Sequence, residues 1–242
     1  MNSAEYARMY QAEERHWWYA GMRAISLALL APRLGSGKLA FLDAGCGTGV
    51  NLEHLGRLGA AFGVDISEEA IAFCRSRGVA VVRGSVLELP VKSAAVDGIT
   101  SFDVLYHRWV TDDLRAVREM ARVLRPGGLL LIRVPALKLF WGAHDEEVHS
   151  RHRYTRGELE ALLAQSGLTL LRSSYANFFL FPVLLARRTL DRALRRHGSD
   201  VGFLPAPVEW AFRCLLEVEA WLIGHGVSLP IGASLFALAR KP

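Results

Sequence analysis

The chain has 242 residues, 51% of them hydrophobic and 22% charged, with a formal net charge of +5 and a pI near 9.4. These values exclude intrinsic disorder, collagen and a coiled coil. The length allows one large domain or two small ones, and a core that needs no staples. Cys46, Cys74 and Cys214 are scattered and odd in number. They fit neither a disulfide framework nor a zinc site, which points to a reducing, cytoplasmic setting. Mean hydropathy is high, at +0.19. A bilayer span needs about 18 consecutive apolar residues. The best run, Phe178 to Ala186, is half as long and contains Pro182. Met1 to Arg15 has no apolar core, so no signal peptide is expected there.

Along the chain, short β-rich runs alternate with helical patterns. Leu39 to Ala44 reads as a doubly buried strand, followed by a glycine loop and a helix to about Leu58. Ala61 to Ile66 is a second strand, and Ser67 caps the next helix with Glu68 and Glu69 in its first turn. Val79 to Val82 and part of Gly98 to Leu105 are the third and fourth strands. A helix begins at Thr111 and ends at Pro126-Gly127-Gly128; Leu129 to Val134 is the fifth strand. Thr155 and Glu158 form a capping box on a helix that Gly167 stops. Leu168 to Leu171 and Ser234 to Arg240 are the last strands, with helical segments near 178–197 and 205–224 between them. This alternation predicts one doubly wound α/β sheet with helices on both faces.

The loop Asp43-Ala44-Gly45-Cys46-Gly47-Thr48-Gly49 leaves a strand and enters a helix, the context a ligand-binding glycine loop requires. Gly45 and Gly47 allow a tight turn and a close approach to a ligand. Asp65 ends the second strand, 22 residues after Asp43. A carboxylate there can accept from both hydroxyls of a ribose, so the pattern describes a nucleoside site at the sheet's switch point. The spacing G-x-G-x-G departs from the dinucleotide fingerprint. Asp43 would repel a pyrophosphate but could pair with an amino acid's ammonium, directly or through backbone or water. The expected cofactor is therefore S-adenosylmethionine, with S-adenosylhomocysteine as product.

Leu42 to Gly49 (LDAGCGTG), Gly63 to Ser67 (GVDIS), Val96 to His107 (VDGITSFDVLYH) and Val123 to Pro135 (VLRPGGLLLIRVP) follow one another over about residues 39–135. In order and spacing they resemble class I S-adenosylmethionine-dependent methyltransferases of the small-molecule type. The resemblance implies a Rossmann-like, seven-stranded sheet whose last strand is antiparallel between the fifth and sixth. It places Ile66 on the adenine, and Ser101 and Phe102 at the methionine end. Ser85 stands where the family usually has an adenine-binding Asp, so either Ser85 or the backbone of Val86 makes that contact. His107 falls near the transferred methyl, and a base is needed only if the acceptor must lose a proton. The plain alternative for His107 is a histidine that orders a loop.

On this reading residues 1–242 form a single methyltransferase domain. It comprises an N-terminal helical lid (1–37), a cofactor core (38–136), an acceptor-site loop (137–154) and inserted helices (178–224). In the lid, Trp18 and Tyr19 are expected to contact the acceptor, and Arg23 an anion or the cofactor carboxylate; plain packing is the alternative. The segment Trp141 to Tyr154 (WGAHDEEVHSRHRY) sits after the fifth strand, where loops shape acceptor sites. His144, Arg151, Arg153 and Tyr154 are expected to recognise an anionic acceptor. Its histidines and carboxylates match no metal motif, so no metal is expected. This segment and Glu14 to Tyr19 resemble a bacterial subgroup with largely unassigned substrates. Phe178 to Ala186 runs into Arg187, Arg188, Arg192, Arg195 and Arg196, opposed by Asp191. That stretch suits packing or a homodimer surface, or peripheral contact with the inner membrane face. The expected reaction moves a methyl to an oxygen of an anionic, sugar-like or lipid-linked small molecule. Competing readings are a nucleic-acid methyltransferase, disfavoured by Ser101-Phe102-Asp103-Val104 at the base-recognition position, a nicotinamide oxidoreductase, and a non-catalytic binder.

Overall fold

The computed structural model describes residues 3–194 and 202–242. The N-terminal segment forms α1 (Ser3–Ala12) and α2 (Trp17–Leu30), followed by a short 3-10 turn over Ala31–Arg33. The alternating part runs β1 (Ala40–Ala44), α3 (Val50–Leu55), β2 (Ala60–Asp65), α4 (Glu68–Arg77), β3 (Val81–Arg83), β4 (Val96–Phe102), α5 (Asp113–Val123) and β5 (Leu124–Pro135). Then come α6 (Ala143–Glu147), α7 (Arg156–Gln165), β6 (Thr169–Ala176), α8 (Phe181–Ala193), α9 (Ala206–Gly224) and β7 (Ser234–Arg240).

One sheet collects the strands in the order β3-β2-β1-β4-β5-β7-β6. Pairing is parallel through β5, and β7 lies antiparallel between β5 and β6. The order reverses between β1 and β4, which opens a crevice at their carboxyl ends. Start signals behave as local chemistry dictates. The Ser67 hydroxyl accepts from Ala70 N–H, and Thr155 with Glu158 makes a complete capping box. Pro126-Gly127-Gly128 does not separate helix from strand as expected: β5 begins at Leu124, directly after α5. A register break between Val96 and Gly98 of β4 accommodates the insertion.

Each sheet face buries its own core. On one side Leu42, Ile99, Leu130 and Ile132 meet Val117 and Met120 of α5 and Leu159 and Leu163 of α7. On the other, Phe41, Leu131, Phe236 and Leu238 meet Met22, Ile25 and Leu29 of α2 and Leu216, Ala220 and Ile223 of α9. The two inserted helices therefore divide. α9 closes a sheet face, while α8 leaves Val183 and Leu190 about half exposed. Among the described residues no helix is long and apolar enough to cross a membrane. Arg195 and Arg196 fall outside the described residues, as does the side chain of Arg192.

α2 and α9 approach closely at Gly21. A Cβ there would overlap Leu216, whose own Cβ would lie 2.5 Å away. Helix propensity alone favours alanine by about 1 kcal/mol, but overpacking costs about 1–3 kcal/mol. Gly21→Ala is therefore expected to lower the melting temperature. A rise would contradict the close approach.

Candidate active site

The glycine loop is shaped by backbone conformation. Gly45, Gly47 and Gly49 have φ of +84°, +53° and +89°, a region that side chains rarely adopt. A Cβ on Gly45 would also strike Val104, so this glycine lets the loop after β4 close on the loop after β1. Gly47 is open on the cavity side, its nearest neighbour being Met9 Cε at 4.0 Å from an added Cβ. Cys46 is buried beside Cys74, with the two Sγ atoms 3.8 Å apart, and the Cys74 thiol donates to Gly47 O. The contact with Cys74, and then burial, push the Cys46 thiol well up, so it packs as a neutral group.

Two carboxylates organise the loop. Asp65 accepts from Gly47 N–H at 2.8 Å through Oδ2 and from Ser67 N–H at 2.9 Å through Oδ1. Burial raises its pKa against those bonds. Asp43 does not line the cavity as expected. It lies beneath the loop, 1% exposed, and accepts from Thr100 Oγ1 at 2.7 Å. Its Oδ2 is buried with no hydrogen-bond partner among the described residues. Burial pushes its pKa up to about 7, with Thr100 pulling the other way.

A cavity of about 380 Å³ runs from this loop to α8, within the ~300–1,000 Å³ range of small-molecule sites. Gly45, Cys46, Gly47, Asp65 and Ile66 line one end, with Ser85 and Val86 beside them. Ile66 is 47% exposed and offers an apolar face, while Ser85 Oγ already accepts from Leu87 N–H. Phe102 lines the middle, but Ser101 does not. Ser101 is fully buried and donates to Ala44 O at 2.9 Å, tying β4 to β1. Gly49 likewise lies beneath the wall, against Cys74 and Val79.

The N-terminal segment packs over the loop. Thr48 Oγ1 donates to Glu13 at 2.6 Å, Arg77 pairs with Glu13 at 2.6 Å, and the Arg77 guanidinium stacks 4.4 Å from the Tyr10 ring. Arg23 donates through Nη1 to Glu13 O at 2.5 Å, so it satisfies the chain end of α1 while lining the cavity. Trp18 and Tyr19 also line it. Burial raises the hydroxyl pKa of Tyr19 and of Tyr106, so both remain donors at neutral pH.

The segment after β5 behaves differently from its sequence reading. Arg153 lines the cavity but is buried in a two-point pair with Asp145, at 2.8 and 3.0 Å. Arg151 lies off the cavity, donating to Val110 O and Leu105 O and pairing with Asp113. Tyr154 is buried and donates to the same Asp113 at 2.7 Å. These two residues fasten the segment to the loop after β4 and the start of α5, and they do not line the cavity. The side chain of His144 falls outside the described residues. Among the described residues no group of three His, Cys, Asp or Glu could hold a metal. His107 lines the cavity and stacks on Trp109, ring centroids 4.6 Å apart. Burial, with His149 and Arg108 nearby, pushes it down to about 4. It is neutral at physiological pH, but binds a proton more weakly than the sequence reading expects of a base.

Sequence reasoning missed the pair at the cavity's centre. Arg133 of β5 pairs with Asp103, Nε and Nη2 both donating to Oδ2 at 3.0 and 2.5 Å. A charge inside the apolar run Leu129 to Val134 was the available signal, since a buried charge must find a partner. Asn177, at φ +64°, also lines the cavity, with Nδ2 donating to Ser234 Oγ at 3.1 Å.

The residues fit a nucleoside that carries a positive amino acid tail. The loop backbone is open at Gly47, an acidic group stands at the end of β2, and a partnerless carboxylate oxygen lies beneath the loop. Fold and site together define a cofactor-binding α/β enzyme of the class I methyltransferase kind. A family model described as a methyltransferase domain matches residues 42–132. A probable S-adenosylmethionine-dependent methyltransferase of Mycobacterium tuberculosis is 36% identical over 88% of this chain and 80% of its own. The chain belongs to the S-adenosylmethionine-dependent methyltransferases, and S-adenosylmethionine is its cofactor. It is also 34% identical to the tRNA (carboxymethyluridine(34)-5-O)-methyltransferase of Arabidopsis thaliana, over 53% of this chain and 30% of that one. Among solved structures it resembles a methyltransferase in complex with the Haloferax volcanii Trm112 methyltransferase activator. The TM-score is 0.64 at 19% identity, covering 99% and 97% of the two chains.

The state of Asp43 sets a pH dependence for the folded chain. Its folded pKa lies near 7, above its unfolded value. Between about pH 4 and pH 7 the folded state holds the extra proton, so stability falls as pH rises through that window. Asparagine keeps an acceptor for Thr100 and removes the titration. In thermal melts Asp43→Asn should gain on the wild type from about pH 4 to pH 8. A difference that does not change with pH would contradict the buried state of Asp43.

Proposed function

We propose that the protein transfers the methyl group of S-adenosylmethionine to an oxygen of an anionic, amphipathic small molecule. The whole chain then acts as one methyltransferase unit. The observation that carries this reading is the charge pattern of the continuous cavity. Glu5, Glu13 and Asp65 line the cofactor end. Toward α8 the walls carry Arg133, Arg153, Arg187 and Arg188 beside Asp103 and Asp145. Guanidinium groups gathered on one wall suit the oxygens of an anion. Trp18, Phe102, Trp109 and Phe140 supply apolar walls between the two ends.

When bound, the cofactor supplies a methyl activated by a sulfonium. Asp65 holds the ribose hydroxyls, Ile66 faces the adenine, and Ser85 or the Val86 backbone contacts its edge. Asp43 supports the methionine end from beneath the loop. Trp18 and Tyr19 exclude water, and alignment of acceptor and methyl is the main catalytic task. His107 borders the acceptor as a neutral imidazole. The exposed apolar residues of α8, beside Arg187 and Arg188, support a lipid-linked acceptor presented at a membrane surface. Oxygen as the target is supported by the O-methylation for which the Arabidopsis relative is named. Its tRNA substrate is not carried over, because the match spans only about half of this chain.

Incubation with S-adenosylmethionine labelled in the methyl group and an extract of producing cells tests the reading. Label should pass to a nuclease-resistant small-molecule or lipid fraction. Label recovered in nuclease-sensitive material would overturn it.

A further inference from the structure

We propose that the methyl acceptor is a carboxylate oxygen, and that Arg133 is the specificity-determining residue that seats this carboxylate. The inference deepens, and rests on, the reading of the cavity as an O-methylation site.

The first argument is the geometry of Arg133. Its guanidinium lies 4.8 Å from the Trp18 ring and 4.9 Å from the Phe102 ring. Asp103 occupies the Nε/Nη2 edge through a single oxygen. Nη1 donates to none of the described residues, and the side chain borders the cavity. A guanidinium held on one edge and stacked on aromatic faces presents its remaining edge to a planar oxyanion. The backbone beneath is equally fixed. Asp103 N–H donates to Arg133 O at 2.9 Å, and Asp103 sits at φ +57°. That left-handed conformation is costly for a residue other than glycine, and such costs concentrate at functional sites. Tyr19 and Tyr106 border the same pair and keep their hydroxyl protons as donors.

The second argument is the fate of a proton. An alcohol acceptor must lose one, and the cavity commits its candidate bases elsewhere. Asp103 is paired with Arg133, Asp145 with Arg153 through both oxygens, and Glu13 with Thr48 and Arg77. Asp65 is bonded to two backbone amides. Burial pushes the His107 pKa down to about 4, so it takes up a proton only weakly at neutral pH. A carboxylate arrives already ionised at neutral pH. One of its oxygens attacks the methyl carbon while the carbon–sulfur bond breaks and its electron pair returns to sulfur. The sulfonium becomes a neutral thioether, a methyl ester forms, and no proton moves. The other oxygen stays on Arg133.

Two measurements on the full chain test this. In the first, the complex with S-adenosylhomocysteine is titrated with octanoate and with octanol by calorimetry. Octanoate should bind at least about fivefold more tightly than octanol. Arg133→Gln should weaken octanoate by at least about fivefold while leaving the S-adenosylhomocysteine affinity within that factor. If the single variant misfolds because Asp103 loses its partner, Arg133→Gln/Asp103→Asn removes both charges and is measured instead. Equal binding of the two probes, or an octanoate affinity insensitive to the substitution, overturns the proposal. A loss of S-adenosylhomocysteine binding instead would assign Arg133 to the cofactor and overturn it too. In the second, product labelled from cell extract is exposed to mild base. A methyl ester releases volatile labelled methanol. Label that enters the small-molecule fraction but resists base keeps the methyltransfer reading and refutes the carboxylate.

Discussion

The structure depends on how the Asp65 carboxylate divides its two oxygens between Gly47 N–H and Ser67 N–H. These bonds join the end of β2 to the glycine loop on one side and to the start of α4 on the other. They fix the loop against a strand with which it is not contiguous. The loop can accept that position because Gly45, Gly47 and Gly49 occupy conformations closed to most side chains. Burying the carboxylate disfavours its charge, and the two amide bonds offset part of that cost. A loop poised in this way presents backbone and acid together at the reversal of strand order.

From that point the cavity divides by charge. Acids gather near the glycine loop, where a cofactor with a positive tail is held. Arg133, Arg153, Arg187 and Arg188 line the end toward α8, the end we propose for the acceptor. The N-terminal segment joins the two ends. Arg77 and Thr48 hold Glu13 above the loop, while Trp18 from the next helix covers Arg133. The α2–α9 pair that carries Trp18 also buries one face of the sheet. Core packing and cavity closure therefore share the same helices, and loosening one loosens the other.

The legible parts of the sequence were those governed by neighbours in the chain. The glycine loop, the Ser67 cap, the Thr155–Glu158 box and the apolar strand run Leu39 to Ala44 each encode their geometry within a few residues, and the structure holds them all. The seven-stranded order followed from resemblance, because no local signal says that β7 inserts between β5 and β6. What escaped depends on distant partners. Arg151 and Arg153 read as acceptor ligands until Asp113 and Asp145 claim them. Arg133 read as part of a motif, yet Asp103, thirty positions away, turns it toward the cavity centre. Ser101 pointed into the sheet because Ala44 O needed a donor there. His107 kept its position but not its basicity, which burial lowers first and the nearby His149 and Arg108 lower further.

The central claim is that Asp65 links loop geometry to cofactor recognition. Calorimetric titration of S-adenosylhomocysteine into wild type and Asp65→Ala tests it most directly, with circular dichroism confirming the fold of the variant. Loss of charge-assisted bonds to two hydroxyls should weaken binding by about a hundredfold or more. An affinity within about threefold of wild type, in a folded variant, would contradict the account.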